Sequence, residues 1–176
     1  MKNLLKITCL VSLFLLAGNS VYSQSEQKIF VGVGAGFDYG GIFGGKVEYL
    51  PVNNFGVFGG LGYNLLSVGF NVGATYKFMP DKKVSPNVML FYGYNGVSKV
   101  EGVSRYEDMT SYGVTFGANL DILTGSKGNK LSVGLFVPIR SGKFRDNYDA
   151  MKADPGISIE NDLLPVAISI GYNFKL

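Results

Sequence analysis

The chain has 176 residues, enough for one domain with a sizeable core and short for two. Apolar residues make up 47 %, aromatics 14 % and charged residues only 16 %, where an ordinary soluble domain carries about 25 % charged residues; such a composition excludes a disordered chain. There is no His, no Trp and a single Cys, so Ser-His-Asp and Cys-His catalysis and His-ligated zinc are excluded too.

In chain order, the first element is an export signal. Lys2 and Lys6 supply a positive n-region, residues 7–17 are apolar except for Thr8 and Ser12, and Val21 and Ser23 precede a cleavage site before Gln24. The apolar stretch is about half of the roughly 20 residues a spanning helix needs. Residues 1–23 are therefore expected to be a cleaved signal and residues 24–176 a single mature domain. Cys9 leaves with the signal and lies too far upstream of the cleavage site to be a lipidated first residue, so no disulfide or thiol chemistry is expected. Cleavage also removes two Lys and no acid, which lowers the net charge from +3 and leaves no basic stripe that would suggest nucleic acid.

After residue 24 the hydrophobic period is two nearly everywhere, and no long helical period is expected. A first strand places Ile29, Val31, Val33, Ala35, Phe37 and Tyr39 on one face and Gly32, Gly34, Gly36 and Asp38 on the other. A second sets Phe43, Val47 and Tyr49 against Gly44, Lys46 and Glu48, and Pro51-Val52-Asn53-Asn54 marks a turn. The third carries Phe55, Val57, Leu61, Tyr63 and Leu65, and the fourth Val68, Phe70, Val72, Ala74, Tyr76 and Phe78, before a break at Pro80-Asp81-Lys82-Lys83. The fifth has Val88, Leu90, Tyr92 and Tyr94; the sixth has Tyr112, Val114, Phe116, Ala118, Leu120 and Ile122, followed by a polar turn at 124–130. The seventh has Leu131, Val133, Leu135, Val137 and Ile139, and the eighth runs from Leu164 through Val166, Ile168, Ile170, Tyr172 and Phe174 to Leu176. The expected fold is all-β: an eight-stranded antiparallel up-and-down transmembrane β-barrel, with strands of about 10 residues, the length a tilted membrane strand needs.

The apolar faces hold several times the about a dozen side chains that a closed eight-stranded interior accepts. They are therefore expected to face lipid. The opposite faces are rich in Gly, Ser, Thr and Asn, small enough for a narrow lumen. A soluble two-sheet sandwich is the competing fold, but it would leave glycine-rich strand surfaces in water. Aromatics near strand ends, among them Tyr39, Tyr49, Phe55, Tyr63, Tyr76, Phe78, Tyr112, Tyr172 and Phe174, suit girdles at the two membrane–water boundaries.

The C-terminal run Ser169-Ile170-Gly171-Tyr172-Asn173-Phe174-Lys175-Leu176 resembles the C-terminal assembly signal of bacterial outer-membrane barrels, through Gly171, Tyr172, Phe174 and Leu176. It departs from that pattern in ending on Leu where many members end in Phe. With the signal and the eight strands, the mature chain resembles the small eight-stranded outer-membrane β-barrel proteins. That resemblance implies insertion by the barrel-assembly machinery, location in the outer membrane of a Gram-negative bacterium among its lipid and lipopolysaccharide, and periplasmic termini. Connections 51–54, 79–86 and 124–130 would then be inner turns. Connections 39–42, 65–67, 96–109 and 141–162 would lie outside, the two longest among them.

Outer-membrane barrel enzymes of the acyltransferase, deacylase and protease kinds use an active-site His, which this chain lacks; no enzyme activity is expected, and no cofactor or metal. Asp146-Asn147-Tyr148-Asp149 clusters oxygens but lacks EF-hand spacing and its glycine. Lys99, Arg105 and Glu107 in one long loop, with Lys143, Arg145, Asp146 and Asp149 in the other, are candidate contacts for lipopolysaccharide phosphates or a surface partner. Inside, Lys46, Glu48, Lys77, Asp121 and Arg140 are expected to form a paired charge network, with Phe58, Phe91 and Phe136 filling space beside the glycines. The leading reading is a monomeric, non-enzymatic barrel with a side-chain-filled lumen and a structural or interaction role. A narrow, porin-like channel for ions or very small solutes is one alternative; a soluble periplasmic barrel carrying an apolar ligand is another.

Overall fold

A computed structural model describes residues 28–98, 109–125, 127–154 and 164–176. The expected signal, residues 1–23, lies outside the described residues. The strands are β1 (Lys28–Gly36), β2 (Gly41–Val52), β3 (Phe55–Tyr63), β4 (Val68–Lys77), β5 (Val84–Ser98), β6 (Met109–Thr124), β7 (Asn129–Pro138) and β8 (Ala167–Lys175). Each pairs antiparallel with the next, and β1 pairs with β8 from Phe30↔Lys175 to Ala35↔Ile170, closing an up-and-down barrel. Carried round the ladder, the registers return the chain to β1 about ten residues from where it left. That stagger corresponds to a strand tilt of about 40°. A ten-residue strand at this tilt rises about 25 Å along the barrel axis.

Because side chains alternate, one face of every strand points out and the other in. The large apolar residues take the outer face, where Val33, Phe43, Leu61, Val68 and Ile168 are 60–72 % exposed. The interior buries Phe58, Met89, Phe91 and Phe136 as one cluster, with Phe91 edge-on to both Phe58 and Phe136. Around it lie buried Asn, Ser, Thr, Lys and acidic side chains. Aromatics collect on the outer surface near the two rims. Phe55, Tyr76, Phe78, Tyr172 and Phe174 lie toward the end that holds Lys28 and Leu176, the terminal end, and Phe43, Tyr63 and Tyr112 lie toward the opposite one.

The first departure from the period-two reading is at Phe37–Tyr39. β1 stops at Gly36, and these three residues form a 3-10 turn bounded by Gly36 (φ 127) and Gly40 (φ 84), backbone angles that favour glycine. The turn folds into the barrel, so Asp38 and Tyr39 are fully buried and Tyr39 belongs to no girdle. Its bed is made of glycine. A Cβ on Gly171 would stand 2.2 Å from the Tyr39 ring, one on Gly60 2.6 Å from the Asp38 carbonyl, and one on Gly44 1.9 Å from the Tyr39 carbonyl. The inner-face glycines around Tyr39 are thus the imprint of the inserted turn, whereas Gly73, Gly117 and Gly134 make room for Phe91 and Phe136.

The second departure is a helix, α1 (Gly142–Ala153), inside the segment read as a loop. Ser141 caps it by accepting from the Phe144 N–H at 3.3 Å, and Phe144 and Met151, two turns apart, are its buried residues. The other long connection is shorter than expected, because β5 runs to Ser98 and β6 begins at Met109. Pro51 and Pro86, read as turn residues, sit within β2 and β5.

Gly44 and its neighbour Gly45 separate the packing of the turn from strand propensity. Gly44→Ala meets backbone on every side and is expected to lower barrel stability by about 1–3 kcal/mol. Gly45→Ala points outward, with its nearest neighbour at 3.7 Å, and should raise stability by up to about 1 kcal/mol through strand propensity. Urea unfolding of both variants in detergent micelles, read by tyrosine fluorescence, checks the difference.

Candidate functional site

The inner faces of β2, β4, β6 and β7 carry charge at matching depth. Glu48, Lys77, Asp121 and Lys130 meet in a closed square in which cations and anions alternate. Lys77 lies 3.2 Å from Glu48 Oε1 and also bonds Asp121 Oδ2; Lys130 lies 3.0 Å from Asp121 Oδ2 and also bonds Glu48 Oε2. Ser132 and Asn119 donate to Asp121 Oδ1 at 2.6 and 2.9 Å. The Lys130 ammonium stands 4.1 Å over the Phe30 ring. Each member is at most 5 % exposed, so the charges neutralise one another where water cannot.

Deeper in the barrel, Lys46 makes a separate pair with Asp38 of the inserted turn at 2.5 Å, its ammonium 4.3 Å above the Tyr39 ring. The Tyr39 hydroxyl accepts from Asn173 Nδ2 at 3.1 Å, and that amide also donates to Ser132 Oγ at 2.9 Å. Asn71 Nδ2 donates to the Phe37 and Tyr94 carbonyls. The turn is therefore tied to β2, β4 and β8 by polar contacts as well as by shape.

Of the five residues expected in one network, the structure brings together Glu48, Lys77 and Asp121. Lys46 is in the second pair. Arg140 is in neither: it lies beyond the end of β7, half-buried, with Nη2 donating to the Leu164 carbonyl at 3.0 Å and no hydrogen bond at Nε. Burial holds its guanidinium below its usual pKa, a shift the Tyr94 and Tyr148 hydroxyls partly oppose. Lys130 and Asp38 complete the pairs and were missed as partners. Lys130 has the inward parity of Ser132 and Phe136 but was read as part of a turn, and Asp38 was placed inward without a cation. Parity extended through Lys130 would have found it.

The candidate surface residues Lys143, Arg145, Asp146 and Asp149 are exposed on α1, so the Asp146–Asp149 oxygens project from a helix rather than from a chelating loop. Lys99, Arg105 and Glu107 lie outside the described residues. In β8, Gly171 packs against Tyr39, Tyr172 is half-buried with its hydroxyl accepting from Thr124 at 3.0 Å, and Phe174 and Leu176 are exposed. At the terminal end the barrel opens into a mouth of about 250 Å³ lined by residues of seven strands and the adjoining turns, with Lys77, Asp121 and Lys130 as its floor. No protein-family model matches the chain, and no curated protein sequence matches it.

The square predicts strong non-additivity. Lys130→Met leaves two buried carboxylates sharing Lys77 and is expected to destabilise the barrel by about 3–5 kcal/mol. Adding Asp121→Asn restores a one-to-one pair of Lys77 with Glu48 and should recover a large part of that loss. A double-mutant cycle on urea unfolding free energies checks it.

Proposed function

We propose that the protein is a non-enzymatic integral outer-membrane β-barrel whose lumen is closed by its own side chains and whose role is structural or interactive, carried by the connections at the α1 end. One observation carries this reading: a closed barrel whose outer face is a continuous band of exposed Val, Leu, Ile, Phe and Tyr. Soluble monomers rarely expose contiguous apolar patches beyond a few hundred Å². In lipid the same surface is at no disadvantage, and the closed ladder leaves no strand edge unpaired. Among the described residues no helix is long and apolar enough to cross a membrane, so a crossing would be made by the strands. Rim aromatics such as the edge-on pair Tyr172–Phe174 suit the interfacial belts of such a barrel.

The interior supports a closed lumen. The inserted turn, the four-residue apolar cluster and the charge square together occupy the interior. A ligand-carrying soluble barrel is disfavoured by the same interior, because an apolar ligand would have to displace paired charges. With periplasmic termini, α1 faces the exterior, and Lys143, Arg145, Asp146 and Asp149 are among the described charges it carries there.

Three measurements test the reading. Unboiled and boiled samples of the membrane fraction should migrate differently in SDS, since a closed ladder resists the detergent until heated; a soluble protein without a heat-dependent shift defeats the membrane assignment. In planar bilayers the wild type should show no steady conductance. Deleting residues 99–108 or 142–153 should leave the heat shift intact while removing surface binding, and retention of all binding by both deletions defeats the display role.

A further inference from the structure

The inserted turn leaves a mark on the outer surface as well as inside. The β1–β8 ladder ends at Ala35↔Ile170. Beyond Gly36 the chain turns inward, and the Phe37 carbonyl is taken by the Gly40 N–H at 2.9 Å and by Asn71 Nδ2. β8 starts higher, at Ala167, where it pairs with Phe136 of β7. The wall is therefore lower over β1 than over β8, and a recess of about 300 Å³ opens there at the α1 end. Exposed Ile168 and Ile170 line it on the outer face, Gly36 and Gly41 at the strand ends, and Phe37 and Tyr94 from inside. The last two rings stand edge-on at 5.5 Å. Phe58, Phe91 and Phe136 are at most 3 % exposed, whereas Phe37 packs against their cluster, is only partly buried and lines the recess.

A second hollow, of about 490 Å³, shares Ala35 and Ile170 with the recess and continues along the β1–β8 seam past Val33 and Tyr172. From Ala167 to Tyr172 the two follow about 17 Å of strand. Among the described residues, none lining either hollow is charged, and the Tyr172 hydroxyl is engaged by Thr124. An occupant matched to this lining is apolar, and one that follows a strand for such a length is slender and unbranched. The surroundings supply it, an inference that rests on the membrane reading above: both hollows open in the outer apolar band, which on that reading faces hydrocarbon. No hydrophobic force selects a partner between an apolar wall and lipid. Selection comes from dispersion, since a chain seated in a recess meets wall atoms on several sides and an empty recess forfeits those contacts.

We propose that the recess and the adjoining hollow form a binding site for one acyl chain, which lies along the β1–β8 seam and touches Phe37 of the inserted turn at the α1-end rim.

The test uses the full chain, deuterated except for its phenylalanine rings, in dodecylphosphocholine micelles, with the dodecyl chain as the probe. Intermolecular NOEs from that chain are expected at outward-facing Phe70 and Phe116 and at Phe37, but not at Phe58, Phe91 or Phe136. Ala35→Trp, an outward change where the two hollows meet, should remove most of the Phe37 signal and leave Phe70 and Phe116 unchanged, with the heat-dependent shift in SDS retained. NOEs at Phe70 and Phe116 with none at Phe37 overturn the site alone, as does a Phe37 signal undiminished in Ala35→Trp. Equal NOEs at Phe37 and the three interior rings also overturn it, because detergent would then pervade the lumen. Absence of NOEs at Phe70 and Phe116 defeats the membrane reading and the site with it. Doxyl-labelled stearate and doxyl-labelled phosphatidylcholine, titrated separately, distinguish the sources of the chain. Saturable broadening of the Phe37 ring at lower mole fraction with stearate assigns a free fatty acid, and with phosphatidylcholine a phospholipid. Equal, non-saturating broadening at Phe37 and Phe70 with both overturns the proposal.

Discussion

The pairing of β1 with β8 is the constraint from which the rest of the molecule follows. Once Phe30 faces Lys175 and Ala35 faces Ile170, the sheet has no free edge and encloses a fixed cross-section. An eight-stranded interior is just wide enough for side chains. Alternation then sends half of each strand into that space, so the larger apolar set must take the outer surface and the small and polar set the inner one. The orientation of the apolar faces is thus a matter of volume before it is a matter of solvent. The outer surface that results is suited to hydrocarbon because the interior had no room for it.

Inside, the same lack of room shapes the electrostatics. A lone lysine on an inner face would face a large desolvation penalty. In this barrel every interior ammonium has an anion within reach. Lys46 has Asp38, and Lys77 and Lys130 divide Glu48 and Asp121 between them. The two groups differ in what they join. The square links β2 and β4 to the neighbouring pair β6 and β7, joining strands on different sides of the lumen, and so favours one register around the barrel. The Lys46–Asp38 pair instead links a strand to the inserted turn, and so fixes an element that no ladder hydrogen bond holds in place.

Much of this was legible in the sequence, for a physical reason. Period-two alternation reports directly which residues share a face, so the strand number, the inward Phe58, Phe91 and Phe136, and the inward Lys46, Glu48, Lys77 and Asp121 could be read without tertiary information. What alternation cannot report is where a strand stops. Phe37 and Tyr39 continue the parity of β1, yet glycines with positive φ on either side turn them inward. Arg140 continues the parity of β7, yet lies past its last paired residue, Pro138. Lys130 suffers the opposite error: it is paired with Leu123 and Asn173, although its polar neighbours read as a turn. The helix α1 was hidden by composition, since only Phe144 and Met151 are buried and most of the rest is polar or small.

The glycines show how far a pattern can be read once its cause is known. Gly34, Gly44, Gly60, Gly62 and Gly171 come from β1, β2, β3 and β8, and no local rule joins them. Each would place a Cβ within 2.7 Å of the inserted turn. Glycine weakens a strand by roughly 0.5–1 kcal/mol relative to alanine, so five of them around one turn represent a substantial concession in strand stability. Such a concession is retained where close approach of another backbone requires it. The turn is therefore better regarded as the part of the interior around which the neighbouring strands are shaped than as a loop that fell into a vacant lumen. The cross-section that closure fixes is filled at this level by backbone, and the side chains of the surrounding strands are reduced to make space for it.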